Sequence, residues 1–74
     1  GIDCTADCSA QIVGATIQGN AGSGINLAFD STLMLWPPTT DATGNAGMGL
    51  YCNDEESSAV DVANLLGGTN CSGF

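Results

Sequence analysis

The sequence predicts a small α+β fold, a disulfide-stapled sandwich in which an antiparallel sheet is packed by one or two helices. Three observations lead to this prediction. The chain has only 74 residues but four cysteines. Segments that alternate apolar and polar residues, the pattern of half-buried strands, occupy much of its first two thirds. A segment with apolar residues at helical spacing then follows over residues 55–66.

The length sets the domain organisation. A chain of 74 residues is enough for one domain, and we expect residues 1–74 to form it, with no linker, second domain or internal repeat. A domain this short buries only about 60% of the surface that its unfolded chain exposes. Covalent links are therefore expected to contribute to its stability.

The four cysteines, Cys4, Cys8, Cys52 and Cys71, predict a disulfide framework. A four-thiolate zinc site needs two pairs of ligands close in sequence, and Cys52 and Cys71 are too far apart to form one. Disulfides in turn predict a secreted, extracellular protein. In an extended strand Cys4 and Cys8 would lie about 13 Å apart, too far for a disulfide without a tight turn. We therefore expect both to cross to Cys52 and Cys71.

The first quarter of the chain leaves one element open. Residues 1–7 are compatible with an edge strand. Residues 9–18 alternate apolar and polar side chains and are rich in β-branched residues, as in a strand. The same segment is also compatible with a short helix that begins at Ser9 and ends at Gly19.

Two further strands are predicted in the middle of the chain. Alternation over residues 25–29 predicts a half-buried strand that continues through residues 33–36. Pro37 and Pro38 end it, because proline cannot donate a hydrogen bond to a sheet. A polar loop over residues 37–47 leads to a strand at residues 48–52.

The helix over residues 55–66 has a predicted start, face and end. Asn53 and Glu56 have the spacing of a capping box, and the carboxylates of residues 54–56 suit the first turn of a helix. Gly67 and Gly68 are expected to end it. The face expected to pack on the sheet consists of Ala59, Val62, Ala63 and Leu66.

The charge balance excludes several classes of function. The chain has eight carboxylates and no Lys, Arg or His, which gives a net charge of −8. Nucleic-acid binding depends on cationic side chains that displace phosphate counterions, so we expect no nucleic-acid partner. The longest apolar run, residues 33–36, is far too short for a transmembrane segment. Mutual repulsion of the carboxylates predicts higher thermal stability near pH 4 to 5 than near pH 8.

The residues needed for most catalytic mechanisms are missing. Without His or Lys there is no base for a Ser–His, Cys–His or Ser–Lys nucleophile. A pair of carboxylates such as Asp30 and Asp61 would suit glycoside hydrolysis, but a domain with one thin core leaves little room for a sugar cleft. We therefore expect a protein that is not an enzyme and needs no cofactor.

Oxygen ligands for calcium cluster in the sequence at Asn53, Asp54, Glu55, Glu56 and Asp61. The spacing of an EF-hand loop is absent. Capping of the predicted helix accounts for the first four residues, so no metal site is predicted.

Trp36 is the main candidate for recognition. The simplest expectation places Phe29 and Trp36 in the core. An exposed Trp36 beside Pro37 and Pro38 would instead be an anchor for a partner, because tryptophan is enriched at binding hot spots. Asp41 in the following loop completes this candidate recognition site.

The last third of the chain resembles a known family. Cys52 at the end of a strand, the acidic helix start at residues 54–56, an apolar helix and then Cys71 resemble the second half of KP6-type killer toxin subunits. The segment is also similar to the KP6-like small secreted effectors of plant-pathogenic fungi. This resemblance implies helices packed on an antiparallel sheet, secretion, proteolytic maturation and action as a toxin or effector. The chain departs from the toxin in having four cysteines and no basic residue.

Three functions follow as expectations. The first is a secreted, fungal toxin or effector-like protein that binds an unknown protein or cell-surface target. The second is a structural subunit of an extracellular filament or coat, since abundant small residues suit self-association or packing with a companion subunit. The third is a hydrolase inhibitor whose loop at residues 37–47 enters the cleft of its target.

Overall fold

The computed structural model describes residues 1–73, which form nine short β-strands and one 3₁₀ helix. In chain order these are β1 (Ile2–Thr5), β2 (Ser9–Val13), β3 (Ile25–Ala28), β4 (Thr32–Trp36), β5 (Thr40–Asp41), β6 (Leu50–Cys52), β7 (Ser58–Val60), the 3₁₀ helix (Val62–Asn64), β8 (Leu65–Leu66) and β9 (Ser72–Gly73).

Every strand pairing in this part of the chain is parallel. Strands β1, β3 and β6 form sheet 1, strands β2, β4, β7 and β9 form sheet 2, and strands β5 and β8 form sheet 3. The chain passes through the sheets in turn and then returns to sheet 1, so each circuit stacks one coil on the last. The architecture is a parallel β-solenoid, a repeat fold in which each coil contacts its neighbours.

The pairing register defines one coil of the solenoid. In sheet 1, Ile2 pairs with Ile25, and Ile25 pairs in turn with Leu50. In sheet 3, Thr40 pairs with Leu65, which is the same step along the chain as from Ile25 to Leu50. Equivalent residues of successive coils therefore lie above one another, and their side chains stack in columns.

The core lies inside the coils, between the three sheets. Side chains alternate between the two faces of a strand, so every second residue points inward. The largest fully buried apolar side chains are Ile25, Leu27, Leu33, Leu35 and Leu50. All five belong to the first two sheets.

A sharp corner joins sheet 1 to sheet 2, and its geometry repeats. Ala6 and Asp7 in the first coil, and Phe29 and Asp30 in the second, all have positive φ angles between 55° and 62°. Non-glycine residues enter this left-handed region only at some cost, so the surrounding bonds must hold them there. The N–H of Ala6 donates to the carbonyl of Ala28 at 3.0 Å. This left-handed pair turns the chain from one sheet into the next.

The same corner accounts for the disulfide pairing. Cys4 is joined to Cys8, and Cys52 to Cys71. The predicted crossing of the N-terminal cysteines to the C-terminal ones is therefore wrong. The tight turn at Ala6 brings the Cα atoms of Cys4 and Cys8 to 5.4 Å, well within disulfide reach.

The predicted α+β sandwich is also wrong, and with it the α/β-sandwich implied by the resemblance to KP6-type toxins. Residues 1–73 contain no α-helix, and their strands pair in parallel within three sheets. The expectation of no internal repeat is wrong too. Residues 19–24 and 44–49 share the pattern Gly-Asn-Ala-Gly-x-Gly, and each copy directly precedes a strand of sheet 1. The two copies are therefore one coil apart, since Ile25 and Leu50 pair in register.

The predicted helix at residues 55–66 is replaced by a turn, strand β7, the 3₁₀ helix and strand β8. The residue that caps this turn is Asp54 rather than the predicted Asn53. One carboxylate oxygen of Asp54 accepts hydrogen bonds from the N–H groups of Glu56 at 3.2 Å and Ser57 at 3.0 Å. The turn then ends because Ser57 and Ala59 are buried inside the coil as an extended chain.

The remaining segments differ from expectation in smaller ways. Residues 9–13 of the ambiguous segment are strand β2. The strand predicted over residues 25–36 is two strands in two sheets, separated by the left-handed pair at Phe29. Phe29 is consequently 63% exposed and does not belong to the core. The loop at residues 37–47 contains strand β5, which pairs with β8.

Candidate binding surface on sheet 2

The outer face of sheet 2 carries the most distinctive surface of the molecule, and we call it the sheet-2 face. Parallel pairing in register places Ser9, Thr32 and Ser58 in one column. A second column of the face consists of Gln11, Met34 and Val60, and a third consists of Val13 and Trp36. All eight side chains alternate with buried residues such as Leu33 and Leu35, so they point away from the core.

None of these eight residues is ionisable, although the chain carries eight carboxylates. Five of the carboxylates lie in the corner between sheets 1 and 2, and they are Asp7, Asp30, Asp54, Glu55 and Glu56. Asp3 lies in strand β1 and Asp41 in strand β5, whereas Asp61 follows strand β7. The sheet-2 face is thus an uncharged area on a strongly acidic protein.

Trp36 is exposed at the end of this face. It is 43% exposed and pairs in register with Val13, which is 60% exposed. The expectation that Trp36 lies in the core is therefore wrong, and the alternative of an exposed aromatic describes its position. Met34 precedes Trp36 by two residues on the same face, which extends the apolar area along the strand.

Pro37 and Pro38 continue the apolar surface around the next corner. Both are exposed, and the peptide bond between them is cis. Gly14 of the preceding coil holds this corner, since its N–H donates to the carbonyl of Pro38 at 3.2 Å. A Cβ atom on Gly14 would lie 2.8 Å from the Pro38 ring, so only glycine allows this close approach.

Asp41, the fourth member of the predicted recognition site, lies apart from the other three. It belongs to sheet 3, and its carboxylate accepts hydrogen bonds from the Thr43 hydroxyl at 2.6 Å and from the Gln18 side-chain amide at 3.2 Å. The Thr43 hydroxyl is the main cause of a lowered pKa for Asp41. The carboxylate thus stabilises a turn of its own chain.

In the acidic corner between sheets 1 and 2, two carboxyl groups have pKa values shifted in opposite directions. The backbone N–H of Phe29 donates to the carboxylate of Asp54 and is the main cause of its lowered pKa. Repulsion from Asp30 is the main cause of a raised pKa for Glu56. Within residues 1–73, no three His, Cys, Asp or Glu side chains are arranged to hold a metal ion.

A cleft of about 310 Å³ lies beside this corner, lined by Tyr51, Cys52, Asn53, Asp54, Glu55, Ser57 and Asn70. Three of its polar side chains, those of Asp54, Ser57 and Asn70, are committed to hydrogen bonds within the fold. Asn70 donates to the Cys52 carbonyl at 3.0 Å and accepts from the Cys52 N–H at 2.8 Å. The Asp54 carboxylate accepts hydrogen bonds from the N–H groups of Glu56 and Ser57. Of the carboxylates considered for glycoside hydrolysis, Asp30 lies in the corner between sheets 1 and 2, and Asp61 directly follows strand β7.

Sequence patterns alone identified Trp36, Pro37 and Pro38 but not their neighbours. Gln11, Val13 and Thr32 become part of one surface only through the pairing of successive coils. The Gly-Asn-Ala-Gly repeat is the signal that would have revealed stacked coils of about 25 residues. Its spacing alone does not pair Val13 with Trp36, because these two residues are 23 positions apart.

Comparisons with known proteins add no relative. No protein-family model, no curated protein sequence and no solved structure matches the chain. The part of the chain that the structure describes contains no helix of the length and apolarity needed to cross a membrane.

Proposed function

We propose that this protein is a secreted, non-enzymatic binding module that attaches to an extracellular or cell-surface target through the sheet-2 face. The observation that carries the proposal is an exposed Trp36 on an uncharged face of a protein with a net charge of −8. Buried tryptophans dominate the binding energy of many interfaces, so an exposed one beside Val13 is a natural anchor.

The rigidity of the sheet supports the same function. The side chains of the sheet-2 face project from paired strands. One disulfide crosses the corner before β2, and the other joins β6 to the residue before β9. A surface held in this way loses little conformational entropy when a partner binds. Disulfides also suit the oxidising conditions outside the cell, which supports secretion.

A toxin or effector-like role is one use of such binding, because these proteins must first attach to a target cell. The two alternatives have less support. For a filament subunit, the support is limited to the outer edges of β2 and β9 in sheet 2, which pair with no other strand within residues 1–73 and could pair with another copy. For an inhibitor, the loop at residues 37–47 is held against the neighbouring coils through Asn45 and strand β5.

The test measures binding of the labelled protein to intact cells. A fluorophore on the amino group of Gly1 lies near Asn20, away from sheet 2. Flow cytometry would compare bacterial cells, yeast cells and plant cell-wall fragments. We expect at least one surface to bind the protein, with the Trp36→Ala variant losing most of the signal.

Phe29→Ala is the matched control, because it removes another exposed aromatic ring from a different part of the surface. It should bind as the parent does. Thermal melting of both variants would confirm that they are folded. If no surface binds the protein, or if the two variants lose binding equally, the proposed function is wrong.

A further inference from the structure

We infer that the partner of the sheet-2 face is a neutral glycan, an inference that rests on the function proposed above. The first argument is area. Strands β2 and β4 are each five residues long and β7 is three residues long. At about 3.3 Å per residue and 4.8 Å between strands, these strands cover roughly 200 Å². A stable protein–protein interface buries about 800 Å² on each partner. The uncharged face alone is therefore smaller than a standard protein interface, and its dimensions suit a short oligosaccharide.

The distribution of charge around the face favours neutral glycans over acidic ones. The face has no ionisable side chain, yet carboxylates lie along its border at Asp7, Asp30 and Asp61. They repel uronates, sulfates and phosphates, and the chain offers no Lys or Arg to compensate. An acidic polysaccharide is thus disfavoured, and a cationic ligand would find no carboxylate on the face itself.

The side chains match the two kinds of surface that a sugar presents. A pyranose ring has an apolar face of C–H groups, which packs on an aromatic ring such as the exposed indole of Trp36. Its edge carries hydroxyl groups, which exchange hydrogen bonds with the amide of Gln11 and the hydroxyl of Thr32. Gln11 stands in the column next to that of Trp36, and Thr32 stands one column further along the same face.

Affinity electrophoresis under native conditions tests this inference directly. The net charge of −8 drives the protein through the gel, whereas a neutral polysaccharide set in the gel does not migrate. Gels would contain a soluble glucan, mannan, xylan or galactan, with alginate as the anionic comparison. We expect at least one neutral polysaccharide to slow the protein, alginate to have no such effect, and added NaCl to change little because no charge pair is involved.

Variants then assign the binding to the face. Trp36→Ala should weaken binding by about tenfold or more, as expected for loss of an aromatic anchor. Should Trp36→Ala fail to fold, Val13→Glu offers a second test, because it places a charge beside Trp36 at a position with little packing to lose. Ala21→Glu adds the same charge at an exposed site elsewhere. Relative to its own mobility in a gel without polysaccharide, it should be retarded as strongly as the parent is.

The results separate failure of the glycan inference from failure of the proposed function. Absence of retardation by every neutral polysaccharide, or equal retardation of Val13→Glu and Ala21→Glu, would overturn the inference. Binding to cells that depends on Trp36 but is lost after protease treatment and survives periodate would show a protein partner, leaving only the proposed function. Loss after periodate, with survival of protease treatment, supports the glycan.

Discussion

Asn20 and Asn45 lie one above the other at the same corner of successive coils, and the Nδ2 group of Asn20 donates to Oδ1 of Asn45 at 2.7 Å. The same oxygen accepts from the backbone N–H of Asn20 at 3.1 Å. In return, the Nδ2 group of Asn45 donates to the carbonyls of Ile17 at 3.0 Å and Ala42 at 2.9 Å. One side chain thus ties two coils together.

Replacing Asn45 should therefore be costly. Asn45→Ala removes these four hydrogen bonds, and at about 1 kcal/mol each we expect it to lower the free energy of unfolding by about 2–4 kcal/mol. Urea unfolding followed by circular dichroism measures this. Asn53→Ala, at an exposed asparagine, is the control and should change stability by less than about 0.5 kcal/mol. Equal losses of unfolding free energy in the two variants would show that the hydrogen bonds of Asn45 do not contribute to stability.

The disulfide pairing has a chemical test that needs no protease. Cyanogen bromide cleaves after Met34 and Met48, the only two methionines, and gives fragments 1–34, 35–48 and 49–74. Because Cys4 pairs with Cys8 and Cys52 with Cys71, the three fragments should separate without reduction. Mass spectrometry of the unreduced digest would detect them individually. A species joining fragments 1–34 and 49–74 would instead support crossed pairing.

Local patterns in this sequence identify strands but not their partners. Alternation located the strands around Ile25 and Leu50 correctly, yet it is equally compatible with parallel and antiparallel pairing. The helix prediction failed because the turn signal at Asp54 is local, whereas the extended strand that follows depends on burial of Ala59 between coils. Only the Gly-Asn-Ala-Gly repeat carries information about the coil, since repeated units stack to bury a common core.

The candidate site likewise could be predicted only in part from local sequence patterns. Trp36 was recognisable from its residue type and from the prolines that follow it. Its neighbour Val13 lies one coil earlier in the chain and became part of the site only through the pairing of β2 with β4. The sheet-2 face is a product of coil stacking, so no local pattern could have identified it.

Leu33 tests the packing of the central coil. It is 0% exposed, and the register places Ala10 and Ala59 on either side of it in the column. Because both neighbours are small, they cannot fill the space left by Leu33→Ala, and we expect a loss of about 2–5 kcal/mol in unfolding free energy. Val13→Ala, which truncates an exposed side chain in the same sheet, should cost less than about 0.5 kcal/mol. A loss at Leu33 as small as that at Val13 would contradict the stacked core.

The acidic corner determines how stability depends on pH, and its two perturbed carboxyls act in opposite directions. Repulsion from Asp30 raises the pKa of Glu56, so the folded state binds this proton more tightly than the unfolded state does. Stability therefore increases as the pH falls through the pKa of folded Glu56. The backbone N–H of Phe29 lowers the pKa of Asp54, so its contribution is present at neutral pH and is lost as the pH falls through the pKa of the folded group.

Together these shifts predict a stability maximum in mild acid. The melting temperature should rise as the pH is lowered from 7 to about 4.5 and fall again below about pH 4. Thermal melts followed by circular dichroism would map this curve. Glu56→Gln cannot gain a proton, so its melting temperature should rise less between pH 7 and about 4.5. Asp54→Asn should have a lower melting temperature than the parent at neutral pH. Its melting temperature should also fall less below about pH 4, because it has no charged acceptor to protonate. A Glu56→Gln curve parallel to that of the parent would show that repulsion from Asp30 does not influence folding.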